Sequence, residues 1–382
     1  LTIVHLGHVS YELHHHRALF EEYARRARFL YLEVDDPGGS AGDRLPRRSL
    51  PNPTDLRAGP EIVSVSGSLP GRRFRTVNQW NWWLAARAVL RALRRGKSGP
   101  LILVSQTPDL LPTLRGLPAD ATVYLVIDDY AGLARDPVSA RHAARGHRRM
   151  ARAADVALAI SLPLAEDLRR HRGLVYETTT GVDFATFAAA ADGPIWPAIA
   201  ALPEPRVGLI GNLNDRIDWP LIEAIARRRP DWHIVLVGPV HQAGAETVGA
   251  LSTLSRLANV HRVPEVPAAA IGSCATGFNV CLIAYRAGAG TDGINPLKLY
   301  QYLAAGRPVV ASPLPALESF RDVIGIGRSK AEFESQIALA LAGGSDLAAR
   351  AQRQERVRAY DWARIAEQRL AIFRESISGP GH

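Results

Sequence analysis

Along this chain, short and nearly continuous apolar runs alternate with longer segments whose apolar positions recur every three to four residues. LTIVHL (1–6), FLYLEV (29–34), EIVSV (61–65), PLILVSQT (100–107), ATVYLVIDDY (121–130) and DVALAIS (155–161) have the length and composition of strands buried on both faces. Between them, Leu13 to Arg26, Trp80 to Arg95 and Arg135 to Arg152 carry helical spacing. A second series opens at PRVGLIGNL (205–213) and continues through HIVLVGP (233–239), NVHRV, FNVCLIAYR and Pro308 to Ser312. Helices are predicted from Trp219, from about Glu246 to Leu257, and from Pro296. Strand and helix in alternation, twice over, predict an α/β chain built on two parallel sheets. The expected first domain is 1–190 and the second 204–360, with Asp192 to Pro205 as the linker and Pro37 to Pro60 as an excursion loop. After Phe320 come one weak strand and three helical stretches.

Composition narrows the classes. With 382 residues and 47% hydrophobic content the chain can bury two sizeable cores. Cys274 and Cys281 are the whole cysteine complement, too few for a disulfide framework or a zinc cluster, which favours a reducing cytoplasm. LTIVHL lacks the charged and apolar regions of a leader, and no apolar run has the length of a membrane span, so a cytoplasmic protein is expected. The balance of 46 basic against 37 acidic residues, net +9, suits anionic lipid or phosphorylated ligands; without aromatics interleaved in a single-strand-binding pattern, nucleic acid is not expected.

The stretch that organises the chain is AGTDGINPLKLYQYLAAGRPVVASPLPALESF, Ala289 to Phe320. Gly288, Gly290 and Gly293 precede Asn295-Pro296, an N-cap and first-position proline that predict a helix beginning at Pro296 and stopping at Gly306. First-turn amides have no intrahelical acceptors and carry the positive end of the helix dipole, so an anion is stabilised there, and Lys298 adds a full charge. The alternative is plain loop punctuation with a solvated lysine.

NPLKLYQYLAAGRPVVAS resembles the donor-binding segment of bacterial GT-B glycosyltransferases, particularly the teichuronic-acid and exopolysaccharide enzymes. The resemblance implies two Rossmann-like domains facing across a cleft, a nucleotide-sugar donor that is a substrate rather than a cofactor, and a final helix, about 361–378, returning to the first domain. It implies donor contacts from Gly293, Ile294, Asn295, Pro296, Leu297, Lys298 and Gln301. By analogy with similar enzymes, Val263 and Tyr285 surround the base and sugar phosphate. Gly211, at a strand end beside Asn212, lets the diphosphate approach the backbone. Many retaining relatives carry two glutamates where this chain has Gly293 and Gln301; the spacing of Lys298 and Gln301 is similar to that in the xanthan glucuronosyltransferase, an inverting relative.

On the first domain, Gly7 and His8 follow the first strand at the carboxyl edge of the sheet, on the acceptor side. Asp128 and Asp129 end another strand, where a general base is useful; similar enzymes show a DDW or DDY element there. Asp128 is the favoured base, Asp129 the capping neighbour, and His8 the substitute. His14, His15 and His16 are consecutive on a helix and point in different directions, so no metal site is assigned. The arginine faces of Trp80 to Arg95 and Arg135 to Arg152 are either solvated or a contact for an anionic membrane carrying a lipid-linked acceptor. A sugar-nucleotide epimerase and a non-catalytic nucleotide-sugar binding protein are the rival readings. A dehydrogenase is excluded, because GHVSYE after the first strand is not GxGxxG.

Overall fold

The structure, a computed structural model, describes residues 1–7, 16–35, 59–66, 75–96, 99–110, 117–134, 136–241, 243–286, 288, 290–343 and 346–378. The chain divides into two compact units, Leu1–Thr179 with Trp362–His382, and Thr180–Asp361. The expected excursion loop falls largely outside the described residues, as do His8, His14 and His15.

The first unit opens with β1 (Thr2–Leu6), α1 (Arg17–Arg26), β2 (Arg28–Asp35), β3 (Glu61–Ser66) and α2 (Arg75–Arg95). It continues through β4 (Leu101–Ser105), β5 (Ala121–Val126), α3 (Pro137–Ala153), β6 (Val156–Ala159), α4 (Leu162–Arg169) and β7 (Tyr176–Glu177). The seven strands are parallel in the order β3-β2-β1-β4-β5-β6-β7. Burial of every residue in β1, β4, β5 and β6 explains why these strands read as unbroken apolar runs rather than as alternations.

α2 turns Trp82, Ala85, Ala86, Val89, Leu90 and Leu93 into the core and leaves Arg91 and Arg94 outside. Asp136 caps α3, accepting the amides of Val138 and Ser139 at 2.9 Å each, with Pro137 at the first helical position. Met150 and Ala151 are buried while Arg141, Arg145, Arg148, Arg149 and Arg152 are exposed. Both helices pack on the short turn Pro108–Leu110. There Gly146 lets α3 close, since a Cβ would lie 2.8 Å from the Pro108 carbonyl oxygen.

The second unit runs α5 (Phe184–Ala190), α6 (Pro197–Ala200), β8 (Arg206–Ile210), α7 (Trp219–Arg228), β9 (His233–Val237), α8 (Ala245–Leu254) and β10 (Val260–Val263). It closes with α9 (Ile271–Thr276), β11 (Val280–Ile283), α10 (Leu297–Ala304), β12 (Val309–Ala311), β13 (Gly325–Ile326), α11 (Lys330–Gly343) and α12 (Leu347–Arg358). Its parallel sheet has the order β10-β9-β8-β11-β12-β13. The chain then returns to the first unit as α13 (Trp362–Ser378), which packs on α1.

The Asp192 to Pro205 stretch is not an open linker. It belongs to the second unit: Ile199 is fully buried, Ile195 and Trp196 pack on the core, and the Trp196 amide donates to the Ser273 carbonyl at 3.1 Å. Its Pro and Gly residues suggested a linker, but the apolar residues between them find a core to cover. The crossing between units is at Thr179–Thr180.

Candidate functional site

In the second unit three strands end in step. The Gly211 amide donates to the Val237 carbonyl at 3.0 Å, and the Gly238 amide to the Val263 carbonyl at 3.1 Å. Gly211 has φ +137° and Gly238 φ +129°, conformations that side chains resist. A Cβ on Gly238 would lie 2.2 Å from the Gly211 carbonyl oxygen. The two glycines therefore bring bare backbone to the carboxyl edge of β8 and β9, where α/β sheets bind ligands.

Lys298 closes this edge. Its Nζ would lie 3.1 Å from a Cβ built on Gly211, and it stands 4.9 Å above the centroid of the Tyr285 ring, within cation–π range. Among the described residues Lys298 makes no ion pair, and two acids of the same unit have partners of their own. Glu246 pairs with Arg286, and Asp215 accepts the Gly244 amide at 2.9 Å and the Thr247 hydroxyl at 2.6 Å. An ammonium of this kind, beside bare backbone and a helix start, is poised to meet an incoming anion.

Lys298 is the second residue of α10, which begins at Leu297 with Pro296 as its cap, not at Pro296 with Asn295 as cap. The reason is local: the Asn295 side chain accepts the Tyr300 hydroxyl at 2.9 Å instead of a first-turn amide, and the Asn295 carbonyl accepts the Thr180 hydroxyl at 3.3 Å. These bonds fix the loop–helix junction from both sides. Upstream, Gly288 and Gly290 take φ +75° and +85°, and the Thr291 hydroxyl donates to the carbonyls of Arg286 and Gly288. Gly293, Ile294 and Pro296 are buried, and Leu297, Lys298 and Gln301 partly exposed; Gln301 lies one turn beyond Lys298 on the same face.

Two residues that the sequence did not single out hold this edge in place. Tyr302, buried on α10, accepts the Ile210 amide at 2.9 Å and so ties the Lys298 helix to the end of β8. Burial pushes its phenol well above the usual range, so it stays neutral. Gly238 is the other. The sequence gives Tyr302 no reading of its own and places Gly238 only within the run HIVLVGP; the fold supplies their partners.

Asn212 is exposed and its Oδ1 accepts the His241 amide at 2.9 Å. Tyr285 bridges Ile217 in an isolated antiparallel contact, which sets its ring under Lys298. Val263 is buried at the end of β10. Cys274 and Cys281 are buried free thiols, pushed up by burial to about 11 and about 12, so neither is a nucleophile near neutral pH.

In the first unit β5 ends at Val126, so strand alternation does not extend to Asp128 and Asp129, which lie in the following turn, partly exposed. Asp129 Oδ1 accepts the amides of Ala131 at 3.1 Å and Gly132 at 2.9 Å, and its carbonyl accepts the Leu133 amide at 2.9 Å. Gly7 is buried, and a Cβ there would sit 2.2 Å from the Tyr31 ring: its small size serves packing at the end of β1. His8 lies outside the described residues, and among those described no group of three His, Cys, Asp or Glu is placed to hold a metal ion. His16 is buried edge-on to Trp362, with ring centroids 5.4 Å apart.

Residues 204–360 match the family described as glycosyl transferases group 1. A curated teichuronic acid biosynthesis glycosyltransferase of Bacillus subtilis (strain 168) is 27% identical over 145 residues, which are 38% of this chain and 36% of the relative. The matched stretch thus spans about a third of that relative's length. Among solved structures, a sucrose-phosphate synthase from Thermosynechococcus elongatus superposes with a TM-score of 0.73 at 17% identity over 99% of both chains. A trehalose-6-phosphate protein from E. coli, bound with UDP-2-fluoro glucose, gives 0.73 at 11% identity over the whole of both. The two-sheet architecture of this chain is the GT-B fold.

Proposed function

We propose, from a chain whose residues 204–360 form a glycosyl transferases group 1 domain on a GT-B fold, that it moves a sugar from a nucleoside-diphosphate donor to an acceptor hydroxyl. One observation carries the reading: the Lys298 ammonium, without an ion pair among the described residues, stands over the bare backbone of Gly211 at the carboxyl edge of the second sheet. A diphosphate laid there meets Lys298 and the first-turn amides of α10, which stabilise the charge that develops as the nucleotide leaves. The uridine-linked ligand named with the E. coli trehalose-6-phosphate structure supports a uridine nucleotide, with Val263, Tyr285, Asn212, Gly293, Ile294, Asn295, Pro296, Leu297 and Gln301 lining the donor side.

Asp128 is the base we assign. Asp129 spends Oδ1 on two turn amides, which supports its role as the residue that shapes the turn while Asp128 accepts the acceptor's proton. A positioned base contributes about 10²- to 10⁴-fold, so Asp128→Asn should lower turnover on that scale while donor binding persists.

The acceptor is a sugar or lipid-linked hydroxyl in bacterial polysaccharide or glycolipid synthesis, a reading supported by the teichuronic acid relative. No helix among the described residues is long and apolar enough to cross a membrane. The exposed arginines of α2 and α3 favour peripheral contact with an anionic inner leaflet. Vesicle flotation should show binding to anionic liposomes that falls with salt; equal partition to neutral liposomes would mean a freely diffusing acceptor.

The reaction itself is tested by incubating the protein with a panel of uridine-diphosphate sugars, with and without bacterial polysaccharide and lipid fractions. Acceptor-dependent release of nucleoside diphosphate with a new glycoside is the expected result. Conversion of the donor sugar without acceptor would point to an epimerase, and binding with no conversion to a binding module.

A further inference from the structure

Directly beneath the Asp128–Tyr130 turn lies a group of titratable side chains that the transfer step does not use. Tyr124, on β5 two residues before its end, places its hydroxyl 3.0 Å from His147 Nδ1 on α3. The opposite ring nitrogen, Nε2, is 3.0 Å from Asp167 Oδ2 on α4, within reach of its charge though out of line for a hydrogen bond. His171, just past α4, stacks edge-on against His147 with centroids 6.0 Å apart. The buried Tyr130 hydroxyl and the Asp129 carboxylate complete the surroundings from the turn, Arg148 adds its charge from α3 itself, and Arg170 shares Asp167 at 3.3 Å.

The hydrogen positions follow. Burial keeps the Tyr124 phenol neutral, able to donate or to accept; the Asp167 carboxylate 3.0 Å from Nε2 favours the ring proton on that nitrogen, which makes Nδ1 the acceptor and the Tyr124 hydroxyl the donor. The single ring proton is then on Nε2, facing Asp167. A second proton on Nδ1 would oppose the Tyr124 hydroxyl, which could keep its bond only by turning its own proton away from the ring, and the Tyr130 phenol on the turn is close enough to act on Tyr124 electrostatically. The imidazolium would also attract the carboxylate of Asp129, which holds the amides of Ala131 and Gly132.

We propose that His147 is a positioning residue for the Asp128–Tyr130 turn: neutral and bonded to Tyr124 it leaves the turn as described, and protonated it redraws the Tyr124 bond and draws the Asp129 carboxylate away from the amides of Ala131 and Gly132. This rests on the glycosyltransferase reading only for its effect on turnover. Asp167 favours the charged ring, and burial, His171 and Arg148 oppose it, burial most strongly. Asp167→Asn therefore moves the transition to lower pH and His171→Gln to higher pH, each by about a unit if the neighbour acts at full strength. His147→Gln keeps an acceptor for Tyr124 and abolishes the transition.

The test is an NMR titration of the full chain from pH 8 to 5, following the His147 ring nitrogens and the amides of Ala131 and Gly132. The two amides should share the midpoint of His147, move with it in opposite directions in the two neighbour variants, and stay flat in His147→Gln. Amides whose midpoint ignores that of His147 would overturn the coupling, and the two neighbour variants decide it even if His147→Gln does not fold. The acid limb of kcat should follow the amides, with donor KM unchanged; a limb that stays put while the amides move would overturn the role in turnover. Should the wild type turn over no nucleotide sugar, the transferase reading falls and the amide titration still decides the coupling.

Discussion

At the scale of single residues the site is a matter of what a side chain would displace. Gly238 faces the Gly211 carbonyl with no room for a methyl group, and its φ is positive. Gly238→Ala should lower the stability of the second unit by about 2 kcal/mol or more, read from the urea midpoint, and weaken nucleotide binding by shifting Gly211. Gly211→Ala combines backbone strain with a methyl group 3.1 Å from Lys298 Nζ, so its loss should fall more on binding. Histidine supplies the pH dependence. His147 and His261 are both held below their ordinary 6.5, chiefly by burial. The unfolded chain then binds protons more tightly than the native one, so stability rises with pH up to about 6.5 and is lost as pH falls below that value. Thermal midpoints at pH 7.5 and 5.5 should fall in that order, and His147→Gln should flatten part of the difference.

Elements show what the sequence made legible and what it did not. The alternation of apolar runs with helical spacing located both parallel sheets, because strands buried on both faces cannot hide their composition. Lys298 and Gly211 were legible through the helix start and the strand end. The helix boundary itself was misplaced, because Asn295 could bond either a first-turn amide or a hydroxyl one turn on, and only the fold puts Tyr300 within 2.9 Å. The reach of β5 was likewise uncertain: Asp129 turns the chain by binding Ala131 and Gly132, which a strand-length argument does not see. Tyr302 carries no sequence signal for its role, because its partner is a backbone amide far along the chain. Removing its hydroxyl in Tyr302→Phe leaves the Ile210 amide buried without that acceptor, for an expected cost of about 1–3 kcal/mol, measured by chemical denaturation.

For the whole molecule, the consequential feature is that the chain makes two parallel sheets, each with its own core, and ends on the unit where it began. Arg369 on α13 anchors that return: it is 1% exposed, and it donates to the Thr178 hydroxyl at 2.9 Å and the Thr179 carbonyl at 2.8 Å. Arg369→Met should therefore lower the stability of the first unit, by about 1.5–3 kcal/mol for each bond to the charged group, and leave that of the second unchanged, with Gly238→Ala doing the reverse. The proposed role of the second unit is to hold a diphosphate at Lys298. Calorimetric titration of the wild type and Lys298→Ala with uridine diphosphate tests it most directly. Loss of a charged partner should weaken binding at least about tenfold; equal affinity in the two proteins would contradict the phosphate role and the reading built on it.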